Sequence, residues 1–124
     1  MILELAGKGQ EENFKTTLRI IKVWAKNRGI SSNGMGFLGG ISWAILLAKV
    51  CQIFPNHKPI KLLLEFFNIY RLWEWKKLPI QLIKLDDREL MNENEMMSII
   101  TPGSMVNSTS RVNMITFELI TEEI

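Results

Sequence analysis

The sequence has few of the side chains on which most enzymatic and metal sites are built. Its 124 residues include one cysteine, Cys51, and one histidine, His57. A disulfide framework and a cysteine-based zinc site within the chain are therefore excluded. A Ser-His-Asp catalytic triad would have a single histidine to draw on. Asp86 and Asp87 are its two aspartates, adjacent in a polar stretch, and no converging carboxylate set is recognisable. We assign no catalytic residue and no metal ligand, and this inventory indicates a binding or support domain.

Negative charge is also missing from a long part of the chain. No Asp or Glu occurs between Asn13 and Leu64, a stretch that contains eight Lys and Arg residues. Residues 1–62 carry nine basic side chains against three acids, a balance of +6, whereas residues 63–124 carry six against ten, a balance of −4. This asymmetry predicts that one side of the chain faces a polyanion: nucleic acid, nucleotide phosphates or a membrane surface.

The sequence has no apolar run long enough to suggest a membrane span. Residues 29–48 are uncharged, but nearly half of them are polar or glycine. The apolar part proper, Ile41–Phe54, is shorter than a span requires and contains Lys49 and Gln52. We therefore predict a buried core helix there and no membrane partner. The N-terminus also lacks the basic and apolar segments of a secretory signal.

Helical periodicity begins directly after the polar N-terminal stretch. Apolar residues recur at spacings of four, three and four from Phe14 to Ala25, and this predicts a helix with Asn13 as N-cap and Gly29 just past its end. Cations recur at the same spacings on another face, which we call the cationic stripe: Lys15, Arg19, Lys22 and Lys26. The stripe is either a solvated face or a phosphate-facing one. A merely solvated face usually mixes both signs of charge, and no acid occurs from Asn13 to Leu64, so the phosphate-facing interpretation stands level with the solvated one.

The rest of the chain predicts a mainly α fold, a compact helical bundle around a buried central helix at Ile41–Phe54. Lys58-Pro59 opens another helix, whose predicted apolar positions are Ile60, Leu63, Leu64, Phe67, Tyr70 and Trp73. Trp73 and Trp75 are expected to cover the core rather than stack on bases. At most a short β element is expected near residues 96–100. A last helix is predicted over Arg111–Ile124, with Val112, Ile115 and Leu119 on one face. Thr116 and Phe117 leave a strand there as the alternative.

A family resemblance appears in the first half of the chain. The segment Arg19-Ile-Ile-Lys-Val-Trp-Ala25 and the segment Gly36-Phe-Leu-Gly-Gly-Ile-Ser-Trp43 closely resemble the central domain of eukaryotic poly(A) polymerases. Further matches follow in order at Cys51–Asn56, Trp73-Glu-Trp75, Ile99-Ile-Thr-Pro102 and Val106–Val112. The resemblance covers almost the whole chain, although residues 76–98 match weakly and are shorter than usual.

The resemblance implies a single domain over residues 1–124, without the catalytic nucleotidyltransferase domain and the C-terminal RNA-binding domain that flank it in the family. Its implied function is to contribute adenine and phosphate contacts to ATP during template-independent transfer of AMP to RNA 3′ ends, in mRNA polyadenylation in the nucleus. This chain alone would be inactive, and Mg²⁺ or Mn²⁺ would be needed only with the catalytic domain. The alternative is a stand-alone, non-catalytic remnant that acts as an RNA or protein interaction module.

Individual contacts are carried over by position. Lys22 matches the family lysine that contacts the ATP phosphates, and Ile41 matches an aliphatic residue that lies against the adenine. Other matching positions are expected at the nucleotide, with Asn33 and Thr101 at the adenine and Gly39 and Gly40 beside it.

One position departs from the family. Ser31 stands where the family has a tyrosine whose hydroxyl reaches the nucleotide, and the shorter serine cannot make that contact unaided. The other stripe residues, Lys15, Arg19 and Lys26, are candidates for contacts to RNA phosphates.

Overall fold

The computed structural model describes residues 2, 7, 9–31, 37–55, 57–75, 80–82, 99, 112 and 114–124. Within these ranges the chain forms helix α1 at Glu11–Asn27, α2 at Gly40–Ile53, α3 at Pro59–Arg71 and α4 at Met114–Glu123. Helices α1, α2 and α3 pack against one another. An isolated parallel bridge joins Ile80 to Ile99. The mainly α bundle predicted from the sequence is confirmed, and the bridge lies where a short β element was expected.

Helix α1 begins three residues earlier than predicted. Its N-cap is Gln10 rather than Asn13, and the backbone N–H of Phe14 donates to the Gln10 carbonyl at 2.8 Å. Glu11 and Glu12 occupy the first turn, where negative charge is favourable at the positive end of the helix. Asn13 instead donates from its side-chain amide to the backbone carbonyl of His57 at 3.3 Å, which ties α1 to the start of α3.

The end of α1 is set by Gly29, as predicted. Gly29 has a φ of +73°, the left-handed conformation that residues with a Cβ rarely adopt. The N–H of Gly29 donates to the Lys26 carbonyl at 3.2 Å, and the N–H of Ile30 donates to the Ala25 carbonyl at 3.0 Å. This pair of bonds is the Schellman arrangement that closes many helices. Ile30 is then buried against the core, so the chain leaves the helix in a fixed direction.

Helix α2 is the central helix of the core. Eight of its residues are buried, and they lie on nearly all sides of the helix: Ser42, Trp43, Ile45, Leu46, Leu47, Ala48, Val50 and Cys51. Cys51 is 1% exposed and free, and burial raises the pKa of its thiol to about 11. It is therefore the small core residue that the sequence predicted.

Helix α3 starts with Pro59 in its first turn, as predicted, but buries a different face. Its buried residues are Leu62, Phe66 and Tyr70, and of these only Tyr70 belonged to the predicted stripe. The predicted core positions Ile60 and Leu64 are 73% and 60% exposed. The prediction failed because apolar residues occur on more than one side of α3, so periodicity alone did not select the buried side.

Rings from α1, α2, α3 and the segment after α3 form a continuous contact network, here called the aromatic seam: Trp24, Trp43, Phe66, Phe67, Tyr70, Trp73 and Trp75. Trp75 stacks on Tyr70 with ring centroids 5.6 Å apart and is 5% exposed, which confirms that it covers the core. The Tyr70 hydroxyl donates to the Leu46 carbonyl. Burial, and secondarily the nearby Cys51, raise the pKa of Tyr70 well above its ordinary value.

Helix α4 is shorter than the predicted helix over 111–124, and it turns another side inward. Thr116 and Ile120 are buried, whereas Ile115 is 71% exposed and Leu119 is 44% exposed, contrary to the predicted face. Val112, the third member of that face, is buried but precedes the helix. A side-chain contact joins this helix to the end of α1, with Arg28 Nε 3.8 Å from a Glu123 carboxylate oxygen. Among the described residues, no helix is both long and apolar enough to cross a bilayer.

Candidate functional site

The cationic stripe lies on the exposed side of α1. All four of its side chains face solvent, while Phe14, Thr17, Ile21 and Ala25 on the same helix are buried. Because α1 starts at Glu11, two acidic residues precede the stripe by one turn and lie nearest to Lys15. At the other end, the Glu123 carboxylate lies beside Arg28, two residues past Lys26, so the potential is expected to be most positive around Arg19 and Lys22.

The tip of Lys22 lies against the first residue of α2. A Cβ placed on Gly40 would lie 3.6 Å from Lys22 Nζ and 3.7 Å from Lys22 Cε. A helix N-terminus carries a partial positive charge from its aligned peptide dipoles and its unpaired N–H groups. The structure thus brings an ammonium group and a helix N-terminus together, and both attract negative charge. An anion is the ligand that this pair can bind.

The N-terminus of α2 lacks a capping side chain among the residues that the structure describes. Gly39 is the N-cap in an extended conformation, with φ −82° and ψ 174°. The Gly39 carbonyl accepts from the N–H groups of Ser42 and Trp43 at 3.1 and 3.3 Å. Within the described ranges, no side chain is hydrogen-bonded to the backbone as a cap at this end of α2.

Nothing in the local backbone requires glycine at position 40. The positive-φ glycines of the described chain are Gly7, Gly9 and Gly29, so Gly40 lies outside the left-handed region. A Cβ at Gly40 would make only ordinary van der Waals contacts with Lys22. The missing side chain keeps open the space between the lysine tip and the helix backbone, and a small oxygen-bearing group could occupy that space.

The remaining candidate residues divide into those that the structure describes and those that lie outside the described ranges. Ile41 is 48% exposed at the start of α2, so an apolar surface adjoins the anion-favouring corner at Gly40. Ser31 is exposed, four residues past the end of α1 at Asn27. Asn33 and Thr101 lie outside the described residues. The structure therefore brings together Lys22, Gly40 and Ile41 of the predicted set.

A pair of tryptophans holds the two helices of the site together. Trp24 lies two residues after Lys22, and Trp43 lies three residues after Gly40. Their rings meet edge to face, with centroids 5.8 Å apart and planes at 84°. This contact fixes α1 against the first turn of α2, and so fixes the position of Lys22 relative to Gly40. Sequence reasoning missed this role, because it predicted separate apolar faces and could not pair residues across helices.

The described residues do not fit a metal ion. No group of three or more His, Cys, Asp or Glu side chains converges anywhere in the ranges that the structure describes. The chemistry available at the corner between α1 and α2 is therefore electrostatic binding and positioning by Lys22 and the backbone.

Comparisons with known proteins agree on one family. The family "Poly(A) polymerase central domain" matches residues 13–124, and the chain belongs to it. This confirms the resemblance found in the sequence.

The chain is similar to larger proteins over only part of their length. Nuclear poly(A) polymerase 4 of Arabidopsis thaliana is 40% identical over 124 residues, covering 90% of this chain and 17% of that protein. Poly(A) polymerase of Dictyostelium discoideum is 40% identical over 121 residues, covering 90% and 15%. Nuclear poly(A) polymerase 1 of Arabidopsis thaliana is 52% identical over 64 residues, covering 52% and 9%. The chain spans about a sixth of the length of the first two.

Proposed function

We propose that this chain supplies the ATP contacts of the central domain in a nuclear poly(A) polymerase, an enzyme that transfers AMP from ATP to RNA 3′ ends. The observation that carries the proposal is the position of Lys22 Nζ beside Gly40, at the N-terminus of α2. A triphosphate is the part of ATP with the charge that this corner favours. The names of the relatives, all poly(A) polymerases, support the reaction class.

In this proposal Lys22 acts through charge and position. Its ammonium binds phosphate oxygens of ATP and offsets the negative charge that builds up as the pyrophosphate leaves. The backbone at Gly40 lies close enough to share the same anion, since no side chain intervenes. Holding the triphosphate in one orientation lowers the entropic cost of bringing the attacking hydroxyl into line. Lys22 is therefore a binding and positioning residue for the phosphates.

The adenine would lie on the apolar side of the same corner. Ile41 is half-exposed and adjacent to Gly40, so an aromatic base could cover it while the phosphates reach Lys22. Asn33 and Thr101 are proposed polar partners of the adenine, Gly39 is proposed beside the nucleotide, and Ser31 is proposed to face it without the reach of a tyrosine.

The metal ions and the activation of the RNA 3′-hydroxyl are proposed to come from a nucleotidyltransferase domain. Mg²⁺ or Mn²⁺ held there would stabilise charge on the transferring phosphate. The proposed partners of this chain are accordingly ATP, the RNA 3′ end, that domain and a C-terminal RNA-binding domain.

Titration of the chain with ATP tests the binding step, followed by amide and lysine side-chain NMR shifts. We expect weak binding that perturbs Lys22, Gly40 and Ile41. Lys22→Ala should lose affinity by about 10- to 150-fold, since a charge-assisted hydrogen bond contributes on the order of 1.5–3 kcal/mol. Lys61→Ala is the matched control, because Lys61 is also an exposed lysine on a helix. Equal affinity in the two variants would overturn the assignment of Lys22.

A chimera tests the function itself. This chain replaces the matching segment of the Dictyostelium discoideum poly(A) polymerase, and incorporation of AMP into oligo(A) is measured. We expect an active chimera in which Lys22→Ala lowers kcat/KM for ATP while Lys61→Ala does not. A folded but inactive chimera would contradict the proposal and favour the non-catalytic interaction module.

A further inference from the structure

We propose that helix α4 of a second copy of this chain binds in an apolar groove between α1 and α3. The groove is lined by four exposed residues, Ile20 and Val23 of α1 and Ile60 and Leu64 of α3. None of the proposed ATP contacts lies in it, so the inference is independent of the proposed function.

The groove forms because α1 and α3 lie side by side and run in the same direction. At their starts, the side-chain amide of Asn13 donates to the backbone carbonyl of His57 at 3.3 Å. Toward their ends, the rings of Trp24 and Phe67 meet with centroids 4.9 Å apart. The two contacts are separated by nearly the same number of residues on each helix, so positions along α1 and α3 stay level with one another.

Exposed apolar side chains on the two helices therefore lie at the same level. Ile20 is one turn before Trp24, and Leu64 is one turn before Phe67. The rings of Trp24 and Phe67 are partly buried against the core and form the floor of the groove, while the exposed aliphatic side chains form its walls. A contiguous apolar surface with polar residues around it is typical of an interaction site.

Positive charge borders this groove. On α1, Arg19 and Lys26 are exposed and lie within one turn of the groove residues. On α3, the exposed Lys61 lies one turn before Leu64. Glu65 is half-buried on another side of α3, because successive residues of a helix are about 100° apart. A partner that binds here must combine an apolar centre with negative charge at its edge.

Helix α4 presents that combination on its exposed side. Ile115 and Leu119 are exposed and four residues apart, so their side chains are neighbours on the helix surface. Glu118 and Glu122 are exposed as well, and each follows one of these apolar residues by three positions. The acids therefore border the apolar pair. Binding of an amphipathic helix in a groove uses this pattern of apolar positions one turn apart.

Within one chain the two surfaces do not cover each other. Thr116 and Ile120 hold the other side of α4 against the core, and Glu123 lies beside Arg28 at the end of α1. Ile115 is 71% exposed in this arrangement, and the groove residues are exposed too. Occupation of the groove by α4 therefore requires another copy. Each copy carries both halves of the contact, so two copies that exchange α4 contacts form a symmetric dimer.

Sedimentation equilibrium of the full chain tests the proposal. We expect concentration-dependent self-association that is weakened about tenfold or more in Leu64→Gln and in Ile115→Gln, because each change removes an apolar side chain from the contact. Leu72→Gln is the matched control, since Leu72 is 77% exposed but lies two turns beyond Leu64, and it should associate as the wild type does. A wild type that remains monomeric at millimolar concentration would overturn the proposal.

A mixture of the two variants identifies the occupant of the groove. Leu64→Gln retains an intact α4 and Ile115→Gln retains an intact groove, so an equimolar mixture restores one wild-type contact that neither variant forms alone. We expect the mixture to associate more tightly than either variant, which also shows that both are folded. Wild-type association of Ile115→Gln together with loss in Leu64→Gln would show that two grooves bind each other, and would exclude α4.

Ionic strength tests the charges at the edge of the contact. Higher salt, Glu118→Lys and Lys61→Glu should each weaken association several-fold, because each reduces the attraction between carboxylates and cations. Association that strengthens with salt and tolerates both substitutions would overturn the charge complementarity on which α4 is chosen. ATP affinity of Leu64→Gln should equal that of the wild type, so failure of self-association leaves the proposed function standing.

Discussion

Two sides of α1 differ in their surroundings, and the residues that show this, Lys22 and Trp24, are only two positions apart. Trp24 faces inward and joins the aromatic seam, whereas Lys22 faces solvent and reaches the N-terminal end of α2. The seam contributes stability through burial, and the stripe contributes charge that the fold itself does not need. The comparison shows that the aromatic residues, which look most suited to stacking on a base, belong largely to the core. The residues proposed to act in function are instead the exposed cations and a glycine that the backbone does not require.

The largest loss of stability is expected from truncating Trp43, at the centre of the aromatic seam. Trp43→Ala should lower the free energy of unfolding by about 3–5 kcal/mol, because a fully buried indole leaves a cavity in a close-packed core. Urea denaturation measures the loss. Leu72→Ala is the control, since Leu72 is 77% exposed and its truncation should change stability by less than about 0.5 kcal/mol. Similar losses in both variants would contradict the division between the seam and the surface.

The second largest effect is expected from raising the pH, which should lower the free energy of unfolding. The folded chain holds the Cys51 thiol proton to a pKa of about 11, against an ordinary value of 9.0. Between these values the folded state binds more protons than the unfolded state, so stability falls as pH rises. We expect a loss of about 2–3 kcal/mol by pH 11, because each tenfold difference in proton affinity between the two states corresponds to about 1.36 kcal/mol.

Urea denaturation at pH 8 and at pH 11 measures this loss. Tyr70 has a raised pKa as well and adds to the decline above its ordinary value of 10.0. In Cys51→Ala the decline between pH 9 and pH 10 should be shallower, whereas Lys22→Ala should retain the wild-type decline. An unchanged decline in Cys51→Ala would show that its thiol is not the responsible group.

The smallest expected change in the free energy of unfolding is an increase, and the same substitution is expected to weaken ATP binding. Gly40→Ala should raise the free energy of unfolding by about 0.5 kcal/mol, because alanine is favoured over glycine in a helix by roughly 0.5–1 kcal/mol. The same change should lower ATP affinity several-fold, since the new methyl group fills the space beside Lys22. Thermal denaturation and ATP titration measure the two effects.

Gly29→Ala is the matched control for the glycine prediction. Its φ of +73° penalises any Cβ, so this variant should be destabilised without a specific effect on ATP. A Gly40→Ala chain that is destabilised, or that binds ATP as the wild type does, would show that the space at Gly40 is not reserved for a ligand.

Sequence patterns predicted the positions of the helices better than they predicted which side of each helix is buried. Helix α2 could be identified because apolar residues surround it, and the end of α1 and the start of α3 were marked by Gly29 and Pro59. The buried sides of α3 and α4 were not predictable from periodicity, because apolar residues occur on several sides of both. Tertiary contacts, such as the Tyr70 bond to Leu46, select one of them.

The candidate site was predictable in its parts but not in its geometry. Exposure of the stripe followed from spacing alone. The meeting of Lys22 with Gly40 depends on the path of the chain between α1 and α2, which periodicity does not determine. Only the family resemblance suggested that these two residues belong to one site.

The bridge between Ile80 and Ile99 ties two distant parts of the chain to one point of the core. Both side chains are fully buried, although they are nineteen positions apart in the sequence. Truncating either side chain therefore removes apolar contacts from a close-packed core and weakens the attachment of the other bridge partner as well.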